Sequence, residues 1–288
     1  MPYTVAASFD KFRENIELSG DHRETANKRR DSIVSLLSKT FDIVEAFPSG
    51  SIPRYTALRD YADLDVFVVL HYTQHIKDRK PSQVLKAVRD ALADYTTSVR
   101  RNGQAVTLKL RTWPSVDIVP VSFTPDASGS VAHYNVPDTN EEVWIPSNPK
   151  THSEDMSTAN LAYGTVFKRI VKMIKWWNHQ HSSYLQSYHI EVMSLHTFSS
   201  TLSEYPWNVY QFFNSACTLI LGNLWHRYGN VDGYLTPTAR AEALTRLKVA
   251  KKKALDAWWA TCPPNSDHEK AIGLWRQIFG DKFPPYGS

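Results

Sequence analysis

The pattern of apolar residues changes character once along this chain, near Ser153, and that switch limits the architecture more than any motif does. Before it, Asp42 to Phe47 is a short apolar stretch and Asp63 to His71 (DLDVFVVLH) is rich in β-branched residues. Gln104 to Val121 holds two further runs split by Trp113-Pro114-Ser115, a hairpin turn by composition. Two helices interrupt these strands. Ile33, Leu36, Leu37 and Phe41 fall at helical spacing, which predicts a helix from Asp21 to about Thr40, and Ser82 to Arg100 reads as a helix following Pro81. After the switch, helices are predicted at Ser153 to His181, Tyr188 to Glu204, Val209 to Tyr228, Thr238 to Thr261 and His268 to Phe279. Strands followed by helices predict an α+β chain. Residues 1–150 form a lobe with a mixed or antiparallel sheet and an N-terminal spine helix, residues 151–288 form a helical lobe, and the cleft between them is the expected ligand site.

Composition supports a folded chain. With 42% apolar and 22% charged residues over 288 positions there is material for a real core, which excludes a disordered polyelectrolyte. The net charge of +4 suits anionic ligands but falls short of a dedicated nucleic-acid arm. Cys217 and Cys262 form no CxxC pair, which fits a reducing cytoplasm. Met1 to Asn15 carries Asp10, Lys11, Arg13 and Glu14, unlike a signal peptide, and nothing approaches the roughly 20 apolar residues that span a bilayer. A cytoplasmic protein without membrane contact is expected.

The segment Phe47 to Leu70 (FPSGSIPRYTALRDYADLDVFVVL) carries the chemistry. Side chains alternate along a strand, so Asp63 and Asp65 point to one face and Leu64, Val66, Val68 and Leu70 to the other. Unpaired, the two carboxylates repel each other and one pKa rises; a divalent cation removes the repulsion, and Mg²⁺ commonly binds through one or two carboxylates plus substrate phosphates. Asp117, in Ser115-Val116-Asp117-Ile118-Val119, follows the predicted turn and adds a third acid if its strand lies beside the first. Three acids can hold two metal ions for in-line phosphoryl displacement. An isolated Asp-x-Asp is common and usually caps a turn. Here Gly50-Ser51 lies thirteen residues upstream of Asp63, where a glycine lets backbone N–H groups approach phosphate oxygens and the serine adds a hydroxyl donor.

These residues resemble the polymerase-β-like nucleotidyltransferases, and within them the bacterial cGAS/DncV-like enzymes called CD-NTases. The matching words are Gly50-Ser51, Pro53 to Thr56, Asp63-x-Asp65, Asp117, Lys168 to Asn178 (KRIVKMIKWWN) and Ser187 to Glu191 (SYHIE), so the resemblance covers roughly Arg29 to Ser200. Word order and length are most similar to the CdnE-type clade.

On its own pattern, the helix over Lys168 to Asn178 carries an apolar stripe of Phe167, Ile170, Val171 and Ile174 beside a cationic stripe of Lys168, Lys172 and Lys175. Lysines so placed are usually a solvated face. The resemblance implies that Lys175, and more weakly Lys172, contacts the donor triphosphate. It implies that the Ser187 hydroxyl does the same and that the Tyr188 ring is a platform on which a nucleobase stacks. In the CdnE-type clade an asparagine at the start of the long helix is associated with uracil recognition, and Asn160 looks like that position; an amide can donate to and accept from the uracil edge together. Among the eleven histidines there is no HExxH, and the basic run at Lys248, Lys251, Lys252 and Lys253 reads as a solvated face.

The resemblance therefore implies a magnesium-dependent enzyme, with two Mg²⁺ ions that Mn²⁺ can replace. It would join ribonucleoside triphosphates (ATP, UTP or other NTPs) into a cyclic di- or trinucleotide and release pyrophosphate. Asp63, Asp65 and Asp117 are the expected catalytic and metal residues; Gly50, Ser51, Asn160, Lys172, Lys175, Ser187 and Tyr188 are the expected substrate contacts. The implied setting is anti-phage (CBASS) signalling, with the product reaching a separate effector and no zinc insertion to indicate activation by nucleic acid. Two rival readings stand beside it: template-independent nucleotidyl transfer to RNA or protein, and a catalytically idle nucleotide-binding module.

Overall fold

The structure, a computed structural model, describes residues 3–95, 99–101, 103–227 and 229–287. In chain order its elements are α1 (Val5–Ile16), α2 (Gly20–Leu37), β1 (Ile43–Ser49), β2 (Leu64–Leu70), α3 (Pro81–Ala91), β3 (Val99–Arg101), β4 (Val106–Leu108), β5 (Val116–Pro125), β6 (Val131–Asp138) and β7 (Val143–Ser147). There follow α4 (Pro149–Tyr163), α5 (Val166–Gln180), α6 (Ser187–Thr197), α7 (Tyr205–Leu219), β8 (Trp225–His226), β9 (Gly229–Asn230), α8 (Pro237–Thr261) and α9 (His268–Phe279). The chain divides into a sheet unit, Leu18–Ala57 with Tyr61–Glu154, and a helical unit, Met1–Glu17 with Leu58–Asp60 and Asp155–Ser288.

In the sheet unit the strand order is β1-β2-β5-β4-β3, with β6 added to β5 and β7 to β6. Among the described residues only β2 and β5 run parallel; the other pairs are antiparallel, so the sheet is mixed. The period-two pattern of β2 explains its packing. Leu64, Val66, Val68 and Leu70 join Val116 and Ile118 in one core with Ile33 and Leu37 of α2 and Val84 and Leu85 of α3. Phe67 and Val69 join Val119, Val121 and Tyr134 in a second core. A strand with a core on each face reads as a nearly unbroken apolar run, as DLDVFVVL does.

The helical unit packs on one core, to which α1 contributes Phe9 and Phe12, both fully buried. Phe9 meets Trp275 edge-on with centroids 4.9 Å apart, and Phe12 lies 4.6 Å from Phe279. The first helix thus groups with the C-terminal helices rather than with the sheet.

Several elements differ from the sequence expectation. The helix expected from Ser82 to Arg100 ends at Ala91, and Val99–Arg101 is a strand paired with β4; residues 96–98 of that span lie outside the described residues. The single helix expected over Ser153 to His181 is two, α4 and α5. They part at Gly164, whose φ of +88° is a left-handed conformation that ends a helix and that glycine adopts without a Cβ clash. The helix expected to Glu204 stops at Thr197. The one expected to Tyr228 stops at Leu219 and gives way to the β8–β9 hairpin, Tyr228 itself lying outside the described residues. Strands β6 and β7 were not anticipated. Among the described residues, no helix is long and apolar enough to cross a membrane.

Candidate active site

Asp65 and Asp117 are register partners on the parallel strands β2 and β5. Partners in a parallel ladder project to the same face, so these two carboxylates stand side by side. Asp63 is two residues upstream of Asp65, just before β2. Its carboxyl is pushed above the ordinary range, chiefly by burial and then by the negative charge of Asp117, with Lys109 acting in the opposite direction. Oδ1 of Asp117 is buried and has no hydrogen-bond partner. A carboxylate oxygen is an acceptor only, so such an atom is costly to bury unless something positive meets it.

Gly50 follows β1 with φ +72°, and a Cβ built there would lie 1.7 Å from Oδ2 of Asp65. The missing side chain is what lets the Asp65 carboxylate occupy this space. The next residues close on themselves: the Thr56 N–H donates to the Ser51 carbonyl at 3.0 Å, while Ile52 and Ala57 anchor the loop in the sheet's core. Ser51 is half-buried beside Gly50.

Two side chains that the sequence reading did not single out hold the approach to the acids. The indole N–H of Trp113 donates to the Ala62 carbonyl at 2.9 Å and so ties the β4–β5 turn to the residue before Asp63. The Arg29 guanidinium, from α2, donates to the carbonyls of Thr112 and Pro114 at 2.7 and 2.6 Å, at the entry to β5. The Trp-Pro-Ser composition announces the turn, but nothing in it announces these tethers.

The remaining predicted residues lie in the helical unit. Lys172 and Lys175 do not form a solvated stripe: α5 is buried from Ile170 to Asn178, with Lys172 at 8% exposure and Lys175 at 2%. Lys172 pairs with Glu17, and Lys175 pairs with Glu191 of α6. Ser187 and Tyr188 open α6, both exposed, behind Gln186 as the cap residue. The Gln186 N–H donates to the Tyr234 hydroxyl at 2.8 Å, and that hydroxyl also meets Nδ1 of His189 at 2.9 Å. Burial lowers the His189 pKa to about 4 and raises that of Tyr234 to about 12, so both stay neutral near pH 7. Asn160 is half-buried on α4, whose neighbouring residues Thr158, Ala159, Ala162 and Tyr163 line a cavity of about 290 Å³ with His196, His226 and Arg227. The structure therefore gathers Gly50, Ser51, Asp63, Asp65 and Asp117 within the sheet unit, and sets Lys175 against the SYHIE helix within the other.

A mixed sheet of this topology, with acids on its central parallel pair and a glycine turn against one of them, has the architecture of a polymerase-β-like nucleotidyltransferase. Residues 3–160 match the family described as Second Messenger Oligonucleotide or Dinucleotide Synthetase domain (SMODS), more than half the chain, and the protein belongs to that family as a bacterial CD-NTase. It is 23% identical to a "probable cyclic nucleotide synthase" of Bacillus cereus (strain VD146), over 99% of each chain. It is 27% identical to the cyclic AMP-AMP-AMP synthase of an Acinetobacter species, over 84% of this chain and 73% of the relative. CdnC of E. coli MS115-1, solved with ATP, shares the fold with a TM-score of 0.78 at 18% identity, covering 98% of this chain and 100% of that one. CdnE enzymes also stand among its structural neighbours, so the resemblance to that clade is one of several.

Proposed function

We propose that this nucleotidyltransferase condenses two or three ribonucleoside triphosphates into a cyclic di- or trinucleotide with release of pyrophosphate, using two Mg²⁺ ions that Mn²⁺ can replace. One observation carries the reading: Asp65 and Asp117 stand in register on adjacent parallel strands, and Asp117 Oδ1 is buried without a hydrogen-bond partner. The donor set fits a hard cation, being carboxylate oxygens with a raised Asp63 pKa and an orphaned oxygen. Asp63, Asp65 and Asp117 would hold the ions, which when bound neutralise the triphosphate and the leaving pyrophosphate.

The chain's own groups do the rest. The Asp117 carboxylate takes the proton of the attacking ribose hydroxyl. The new bond forms between that oxygen and the α-phosphorus as the bond from the α-phosphorus to the bridging oxygen breaks, and a second attack of the same kind closes the ring. Backbone N–H groups around Gly50 and the Ser51 hydroxyl would grip the donor phosphates. Lys172 and Lys175 would share their ammonium groups between the triphosphate and the carboxylates of Glu17 and Glu191. Tyr188 stacks on the base. In this reading the product activates a separate effector in anti-phage (CBASS) signalling.

The test is to offer all pairwise NTP mixtures with Mg²⁺ or Mn²⁺ and identify the phosphatase-resistant product by mass spectrometry. The Asp63→Ala, Asp65→Ala double variant releases no pyrophosphate; full activity there refutes the assignment. A labelled RNA or protein in place of a small product selects the tailing alternative, and nucleotide binding without turnover selects the idle module. For base choice, a pyrimidine preference carried by Asn160 competes with an adenine preference, which the cyclic AMP-AMP-AMP synthase relatives support. UTP against ATP in a single-turnover assay decides it, with Asn160→Ala leaving the preference unchanged if the amide is not the reader.

A further inference from the structure

Tyr188 is tied to a short relay of side chains within the helical unit. Its hydroxyl lies 2.8 Å from Nδ1 of His226, and Nε2 of the same imidazole lies 3.0 Å from Oδ2 of Asp155. Arg227 holds the far side of that carboxylate, its Nε donating to Oδ2 at 3.1 Å and its Nη2 to Oδ1. The two rings are 5.8 Å apart at 67°, so the imidazole meets the phenol at its hydroxyl end and does not stack on its face. His226 is mostly buried, while Tyr188 is 36% exposed.

The hydrogen-bonding roles follow from what each group can do. A carboxylate only accepts, so Asp155 takes the N–H at Nε2 of His226. In the neutral ring that fixes the tautomer and leaves Nδ1 as the acceptor of the Tyr188 O–H. The supports come from one stretch of chain. The β8–β9 hairpin supplies His226, closed by Val231 N–H to the Leu224 carbonyl at 2.8 Å, and three residues further on Tyr234 receives the Gln186 N–H. The first turn of α6 is thus gripped at its backbone by Tyr234 and at its second side chain by His226.

We propose that His226, oriented by Asp155, is a positioning residue that fixes the Tyr188 ring as a base platform, and that this platform reads no base edge. The inference rests on the reading above that Tyr188 stacks on a nucleobase. A phenol whose proton is committed to His226 offers the ligand its π-face, which every base can use. Selection among bases must then come from other groups.

The test measures KM and kcat by pyrophosphate release with the NTPs the wild type uses, in Tyr188→Phe, His226→Phe, their double variant and Tyr188→Ala. His226→Phe and Tyr188→Phe each remove the same hydrogen bond, so each raises KM by up to about tenfold with kcat changed less than about twofold. The double variant is no worse than either single one, because residues acting through one shared contact are not additive. His226→Asn, whose short amide can stand where Nδ1 stood, recovers part of the loss, and Tyr188→Phe keeps the wild-type ranking of the four NTPs. Additive effects, or an undiminished His226→Phe effect in the Tyr188→Ala background, overturn the positioning role. A change of base ranking in Tyr188→Phe overturns the edge-blind platform. If Tyr188→Ala leaves KM unchanged, the stacking reading itself fails; if it raises KM while His226→Phe does not, stacking stands and the relay falls.

Discussion

Nζ of Lys175 lies 2.5 Å from Oε1 of Glu191, in a part of the helical unit where the two side chains keep 2% and 0% of their surface exposed. Removing one partner strands the other charge in a medium that solvates it poorly. Lys175→Met should therefore destabilise the protein by about 3–5 kcal/mol, whereas Lys175→Met combined with Glu191→Leu recovers most of it. Urea unfolding of both variants checks this. It also separates a phosphate-contacting lysine from a structural one, since activity lost in the stable double variant is not lost through unfolding.

Asp63 sets a pH dependence. Burial, reinforced by Asp117, raises its folded pKa above the unfolded value, so the protonated form is the one the fold favours. The contribution of Asp63 to metal-free stability is greatest below the unfolded value, about pH 4, and is lost as the pH rises through the raised folded value. Mg²⁺ should then lift the melting temperature more at pH 7 than at pH 4, and Asp63→Asn should flatten both trends. Thermal melts across pH, with and without Mg²⁺, measure this; a metal effect independent of pH contradicts it.

Gly50→Ala places a methyl group where the Asp65 carboxylate already stands, on a backbone with φ +72°. The carboxylate or the turn must give way. A shift near 1 Å at a reacting centre can cost about 100-fold in rate. Pyrophosphate release should fall by about that factor while circular dichroism remains that of the wild type.

Trp113→Phe keeps the aromatic bulk but deletes the donor to the Ala62 carbonyl. About 1 kcal/mol of stability should be lost. Because that bond steadies the residue next to Asp63, kcat should fall more than KM rises, which steady-state kinetics resolves.

The acids were legible because a strand has a period of two: it sets Asp63 and Asp65 on one face at the start of DLDVFVVL, while the β2–β5 pairing that brings Asp117 alongside is a long-range contact that no local pattern announces. The lysines were less so. Helical periodicity places Lys172 and Lys175 on one stripe, but whether that stripe is wet depends on Glu17, just past α1, and on Glu191 of α6. The same holds for Tyr188, whose partner His226 is 38 residues away. Local pattern also overran at Gly164, where an apolar repeat continues on both sides of a residue whose backbone ends the helix. Strands β6 and β7 pass without strict alternation, leaving Val131, Val143 and Ile145 exposed, so no amphipathic signal marks them.

Because Asp65 and Asp117 meet through strand register and not through loops, the chemistry is keyed to a residue count. Deleting one residue within β5 upstream of Asp117 would turn its carboxylate through the sheet to the opposite face. Lengthening the loop between β2 and α3 leaves the register of the two acids untouched, whereas the rows that carry the charges cannot slip by one.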